Sequence, residues 1–182
     1  MAQGALIYTF TIDLSDLDRN VYESLDLRVA LHPSEAVDYM LTRVLAYCLE
    51  YQEGISFSKG LAASDEPAIW AHDYTGQLKA WIEIGSPNAE RLHRASKLAE
   101  RVAVYTHKDI DLVKHNLRRG AIQRIREIPI YEIERKFLTD FEAVLDRRMK
   151  CALSITEQQL YLDLNGRSLQ TTVIEHRLSE NR

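Results

Sequence analysis

The chain has 182 residues, 46% hydrophobic and 27% charged, and no apolar run near the roughly 18 residues of a membrane span. That balance suits one soluble globular domain with a proper core, and it argues against general disorder, membrane spanning and a secretory leader. The net charge of −4 is uneven: residues 1–90 hold 5 Lys/Arg against 14 Asp/Glu, residues 91–182 hold 18 against 13, and residues 91–126 hold 10 against 3.

Leu6, Tyr8, Phe10, Ile12 and Leu14 alternate with smaller or polar residues, so the chain opens on a half-buried strand. Ser15 to Asn20 forms a polar turn. Leu25, Leu27, Val29 and Leu31 share one face of the next strand, which completes a hairpin with one wet face. His32-Pro33-Ser34-Glu35 starts a helix that runs to about Tyr51. Val37, Met40, Leu41, Val44, Leu45 and Cys48 fall on its core-facing stripe. Glu35 then sits in the first turn, where the helix dipole favours a carboxylate.

Ile55 to Leu61 reads as a short strand and 62–67 as a loop containing Asp65-Glu66-Pro67. Ala68 to His72 fits a strand or a helical turn equally. Leu78 to Ile84 has the length and Trp/Ile content of an interior strand. Leu78, Ala80, Ile82 and Ile84 point one way, Trp81 and Glu83 the other. Gly85 frees the backbone for a turn, and Ser86-Pro87 reads as N-cap and first helical residue. Glu83 therefore lies at a strand end. There it either lines a ligand crevice or simply emerges into solvent.

A helix from Pro87 to about Arg101 buries Leu92, Ala95 and Ala99 and projects Arg91, Arg94, Lys97 and Arg101. Val102 to Thr106 is a strand, and the strand–helix–strand order favours parallel pairing with 78–84. Asp109 caps a helix that stops at Gly120. Ile128 to Ile133 is a strand and Phe137 to Met149 a helix. Ala152–Thr156, Leu160–Leu164 and Leu169–His176 return to alternation, with Asn165-Gly166 as a hairpin turn. The class is α+β with an α/β core. The terminal strands are expected in a second sheet or small barrel beside the core sheet. Residues 179–182 are expected to be disordered.

The standard chemical motifs are missing. The seven glycines are scattered, no G-x-S-x-G or H-E-x-x-H is present, and the six histidines lack ligand spacing. Cys48 and Cys151 sit in apolar patterns, as reduced core thiols of a cytoplasmic protein would. What remains is a carboxylate grouping of Glu35, Asp65, Glu66 and Glu83. Converging carboxylates repel unless a cation holds them, and oxygen-rich sites suit Mg²⁺ or Mn²⁺. The basic stretch 91–126 allows a polyanion-facing side, although solvated helix faces explain it as well.

Several stretches resemble the YaeQ family of small bacterial proteins: Asp18-Arg19-Asn20, His32-Pro33-Ser34-Glu35, Gly60-Leu61, Asp65-Glu66-Pro67 with Trp70, and Trp81-Ile82-Glu83-Ile84-Gly85 with Pro87. The element order is also similar to the restriction-endonuclease-like core of the PD-(D/E)XK nucleases. The resemblance implies a single domain, with a nuclease-like core over 32–134 and accessory β-structure over 1–31 and 150–178. It implies Mg²⁺ or Mn²⁺ held by Glu83, Asp65, Glu66 and Glu35, and catalysis by Glu83 and Asp65. The nuclease pattern has Lys two residues after the strand Glu, whereas this chain has Gly85. Arg91, Arg94 or Lys97 would have to supply that charge, the first two being nearer Glu83 and Lys97 serving only if its helix leans back, since it lies about 15 Å from the helix start. Arg91 and Arg94 are the expected nucleic-acid contacts. Two functions follow: a metal-dependent phosphodiesterase, or a binding or regulatory protein that keeps the fold without turnover. Nucleic acid is the partner in the first reading and one of the partners open to the second, beside a regulatory or interaction role, with no membrane and a monomer favoured. A purely structural role for all these residues is the third reading.

Overall fold

Alternation at the chain ends and helical stripes between them set the architecture. The computed structural model describes residues 4–59, 64–120 and 123–178. In chain order the elements are β1 Leu6–Asp16, β2 Val21–Leu31, α1 Val37–Leu49, β3 Ile55–Phe57, β4 Ile69–His72, β5 Leu78–Ile84, α2 Ala89–Leu98, β6 Arg101–Thr106, α3 Ile110–Arg118, α4 Gln123–Arg126, β7 Ile130–Glu132, α5 Arg135–Ala143, β8 Arg148–Thr156, β9 Gln159–Leu164, β10 Arg167–Thr172 and β11 Ile174–His176. They group into two units, Met1–Val44 with Ile133–Val173, and Leu45–Glu132 with Ile174–Arg182. The boundary falls inside α1. The expected strand end at Gly60 and the tail 179–182 lie outside the described residues.

The first unit is a five-stranded sheet in the order β10-β9-β8-β1-β2. Phe10 pairs with Leu27 and Ile12 with Leu25 in the antiparallel β1–β2 ladder. These side chains are buried while Thr9, Thr11, Asp26 and Arg28 between them stay exposed. β8 adds to β1 in parallel, and Asn165-Gly166 joins β9 to β10 with φ of 46° and 80°. Both turn residues are left-handed, as a two-residue hairpin with the strands' twist requires. The helix expected over 137–149 ends at Ala143, and Met149 is instead a buried residue of β8. The spacing of Val144, Leu145 and Met149 fits a helix, but from Arg148 onward the chain gains a full ladder with β1.

The second unit is a six-stranded sheet in the order β11-β7-β6-β5-β4-β3. Its centre, β5-β6-β7, is parallel, and its edges are antiparallel. Leu92, Ala95 and Ala99 of the α2 segment, Val113 and Leu117 of α3 and Ile125 of α4 pack with Trp81, Val102, Val104 and Ile130 in one core. The three helices thus form a layer on one face of this sheet. Each fully buried Leu or Val in that core contributes about 1.5–3 kcal/mol of transfer free energy.

The terminal strands do form their own sheet, with one exception. β11 leaves it and pairs with β7, and neither sheet closes into a barrel among the described residues. Two helix starts also differ from the sequence reading. Asn88, not Ser86, caps α2, because its side chain accepts the Arg91 N–H at 2.8 Å. Glu35 precedes α1 rather than lying in its first turn, and its Oε2 accepts the His32 N–H at 3.0 Å. The expected dipole role of Glu35 is therefore not its role.

Candidate functional site

The site grows from β5. Five successive residues of this strand, Ala80 to Ile84, are buried, so Glu83 enters the interior with its strand and is 5% exposed. An ionised carboxylate there needs donors and a counter-charge. Trp81 lies two residues back on the same strand face, and its Nε1–H donates to Glu83 Oε1 at 2.7 Å. Gly85, with φ of 90°, then turns the chain toward α2. Arg91 comes from the first turn of α2, and its Nε–H donates to the same Oε1 at 2.5 Å.

The Arg91 guanidinium does more than neutralise Glu83. Nη1 donates to the Ser64 carbonyl and Nη2 to the Glu66 carbonyl, while the group lies 6.0 Å from the Trp81 ring centroid. One guanidinium thus joins three chain oxygens from two segments, which suits its rigid planar fork. Burial raises the Glu83 carboxyl above its ordinary range, while the bonds from Trp81 and Arg91 and the charge of Arg91 pull it down.

The other acids have separate partners. Asp65 Oδ1 and its carbonyl accept from Arg94 at 3.2 and 3.3 Å, in an exposed pair. Glu66 Oε2 accepts the Lys59 N–H at 3.1 Å. Glu35 belongs to the first unit, where its Oε1 lies 3.2 Å from Arg43 Nη2 as a close charge contact rather than an aligned hydrogen bond. Lys97 is exposed in the last turn of α2. The structure therefore brings Glu83, Arg91 and the 64–66 backbone together, with Arg94 and Asp65 beside them through α2 and the same loop. Among the described residues no three His, Cys, Asp or Glu side chains form a metal-ligand group. With each carboxylate holding an N–H donor, this donor set as folded does not fit a divalent cation. Cys48 and Cys151, the two cysteines of the chain, are buried and not joined in a disulfide, as expected.

A second polar cluster was missed in the sequence. Glu50 follows α1 and is buried. Arg101 Nε and Nη2 donate to its two oxygens, both at 2.7 Å, and the Tyr105 hydroxyl donates to Oε1 at 2.6 Å. Tyr105 stacks on Tyr131 at 4.8 Å between ring centroids. Glu50 raises the pKa of Arg101, and burial raises that of Tyr105. One signal pointed to this cluster: a carboxylate at a helix C-terminus opposes the dipole and requires a cation. The partner, 51 residues away, was not legible.

The chain matches the family model described as YaeQ protein over residues 1–173. It is 29% identical over 175 residues to "Uncharacterized protein YaeQ" of Escherichia coli (strain K12), covering 95% of this chain and 96% of that one. It is 38% identical over 108 residues to the protein of the same name in Salmonella typhi, 59% of each chain. The crystal structure of YaeQ protein from Pseudomonas syringae superposes with a TM-score of 0.87 at 29% identity, covering 94% of this chain and 95% of that one. YaeQ protein from Xanthomonas axonopodis pv. citri gives 0.86 at 26% identity, covering 95% and 98%. With the family model spanning nearly the whole chain and the fold shared with two solved relatives, the chain belongs to the YaeQ family.

Proposed function

We propose that this protein binds nucleic acid through the helical layer α2–α4 and does not cut it. The observation that carries the reading is the engagement of Glu83 by Arg91 and Trp81. A cation of the chain's own stands on the carboxylate that would otherwise recruit a metal. Gly85 supports it, since no lysine follows Glu83 at the nuclease spacing. The polyanion partner is supported by charge. Arg94, Lys97, Arg118, Arg119 and Arg126 are all exposed on the layer or its linking turns. Exposed arginines and lysines give sequence-independent, salt-sensitive attraction to phosphates.

The second reading is the metal-dependent phosphodiesterase. One observation favours it: Arg91 and Arg94 draw Glu83 and the Asp65-Glu66 loop into one neighbourhood. In that reading Glu83 with Asp65 or Glu66 holds Mg²⁺ or Mn²⁺ once Arg91 has moved, and Arg94 or Lys97 supplies the missing positive charge. Incubation of labelled single- and double-stranded oligonucleotides with purified protein and Mn²⁺ separates the two. Binding without shortening supports the first. Shortening that Glu83→Gln abolishes establishes the second.

A further inference from the structure

A cavity of about 350 Å³ opens between the C-terminal end of α2, the start of β6, the α4–β7 turn and the C-terminal segment. It lies wholly within the second unit and uses neither Glu83 nor Arg91. Its apolar wall is Ala99, Val102 and Ile128, and its polar wall carries Arg101, Arg124 and Arg177. Three arginines on one small cavity leave many donors to satisfy.

Part of that donor set is already spent. Arg101 spends Nε and Nη2 on Glu50 and Tyr131, and among the described residues nothing takes the Nη1 hydrogens. Arg177 is fixed by Glu175 through Nε and Nη2 and by the Glu127 carbonyl through Nη1, which among the described residues leaves one hydrogen on each terminal nitrogen. Arg124 has no hydrogen-bond or ion-pair partner among the described residues. Two of the three guanidiniums are thus oriented by carboxylates behind them, a preorganised arrangement, and the third is free to close. Glu100 also lines the cavity, but its carboxylate is held by Lys79 at 2.7 Å. Glu127 adds an exposed carboxylate, which accepts hydroxyl groups.

We propose that this cavity binds a phosphomonoester of mononucleotide size, with the phosphate on the arginines, the apolar body against Val102 and Ile128, and a hydroxyl on Glu127. The volume supports an organic body as well as the phosphate, since it falls in the range of roughly 300–1,000 Å³ typical of small-ligand sites. The chemistry is shared by a free nucleotide and by the 5′-phosphate end of a short strand. The proposal stands independently of the Glu83 reading.

The test is calorimetric titration of the full chain with adenosine 5′-monophosphate and with adenosine. The monophosphate should bind at one site, and adenosine at least about tenfold more weakly, because the charge-assisted bonds are lost. Arg124→Glu, on an exposed side chain outside the core, should weaken the monophosphate about tenfold or more, whereas Arg94→Glu should not change it. A 5′-phosphorylated tetranucleotide that competes, where its 5′-hydroxyl counterpart does not, identifies chain ends as ligands. Failure of both to compete identifies free mononucleotides. Absence of monophosphate binding, or binding indifferent to Arg124→Glu, overturns the proposal. Loss of long-oligonucleotide binding in Arg94→Glu with intact monophosphate binding separates this cavity from the Arg94 side of the helical layer.

Discussion

Glu83 decides the chemistry at the scale of single residues. The grouping of acids in the sequence suggests a carboxylate among like charges, for which Glu83→Gln would relieve repulsion. The structure places it beside Arg91 and Trp81 instead. In Glu83→Gln the amide oxygen still accepts both donors while the buried charge is lost, so stability in urea unfolding should change by less than about 1 kcal/mol. Arg91→Ala removes a part-exposed guanidinium and leaves a buried carboxylate with one donor and two carbonyls unfilled, so about 2–4 kcal/mol is expected. The two substitutions share one network, and their combined cost should fall short of the sum. An additive result would show that the pair does not interact.

Titration of Glu83 makes stability depend on pH. Burial raises the folded-state pKa above the ordinary carboxyl value of 4.5. Between the unfolded and folded values the native state holds the extra proton, so stability falls as pH rises through that window. Wild type should thus lose stability relative to Glu83→Gln as pH rises through that window, and the difference should be flat above it. A wild type that instead gains stability relative to Glu83→Gln would mean that the ion pair outweighs burial.

The decisive element is the β5–turn–α2 unit. Gly85 holds a φ of 90°, which L side chains other than Gly rarely adopt. Restoring the nuclease lysine as Gly85→Lys should cost about 1–3 kcal/mol of stability without creating cleavage. A stable, metal-dependent Gly85→Lys nuclease would contradict this placement. The same unit shows what a sequence can and cannot carry. Strand parity put Trp81 and Glu83 on one face, and the short turn put α2 beside β5. Both follow from local periodicity. That Arg91, rather than a metal, meets Glu83 depends on side-chain reach across the turn and on the 64–66 backbone, which no spacing encodes. β11 was misplaced for a related reason: three residues with alternating polarity fit either sheet, and only the ladder with β7 decides. Asn88 displaced Ser86 as the cap because either side chain can fill that role, and the backbone selects one.

At the scale of the molecule, charge is arranged against the net sign. The chain is acidic overall, yet residues 91–126 carry 10 basic side chains against 3 acidic ones, and they build α2, β6, α3 and α4. If the helical layer meets phosphates, affinity for an oligonucleotide should fall linearly with log salt. Arg94→Glu combined with Arg118→Glu should weaken binding for all sequences alike and flatten that slope by about 2. A slope unchanged by these substitutions would place the contact elsewhere. The central claim is tested most directly in one sample: wild-type protein, a 5′-labelled oligonucleotide and Mn²⁺, with fluorescence anisotropy and fragment length read together. The account predicts raised anisotropy on a probe that remains full length. A shortened probe, with shortening lost in Glu83→Gln, would contradict it.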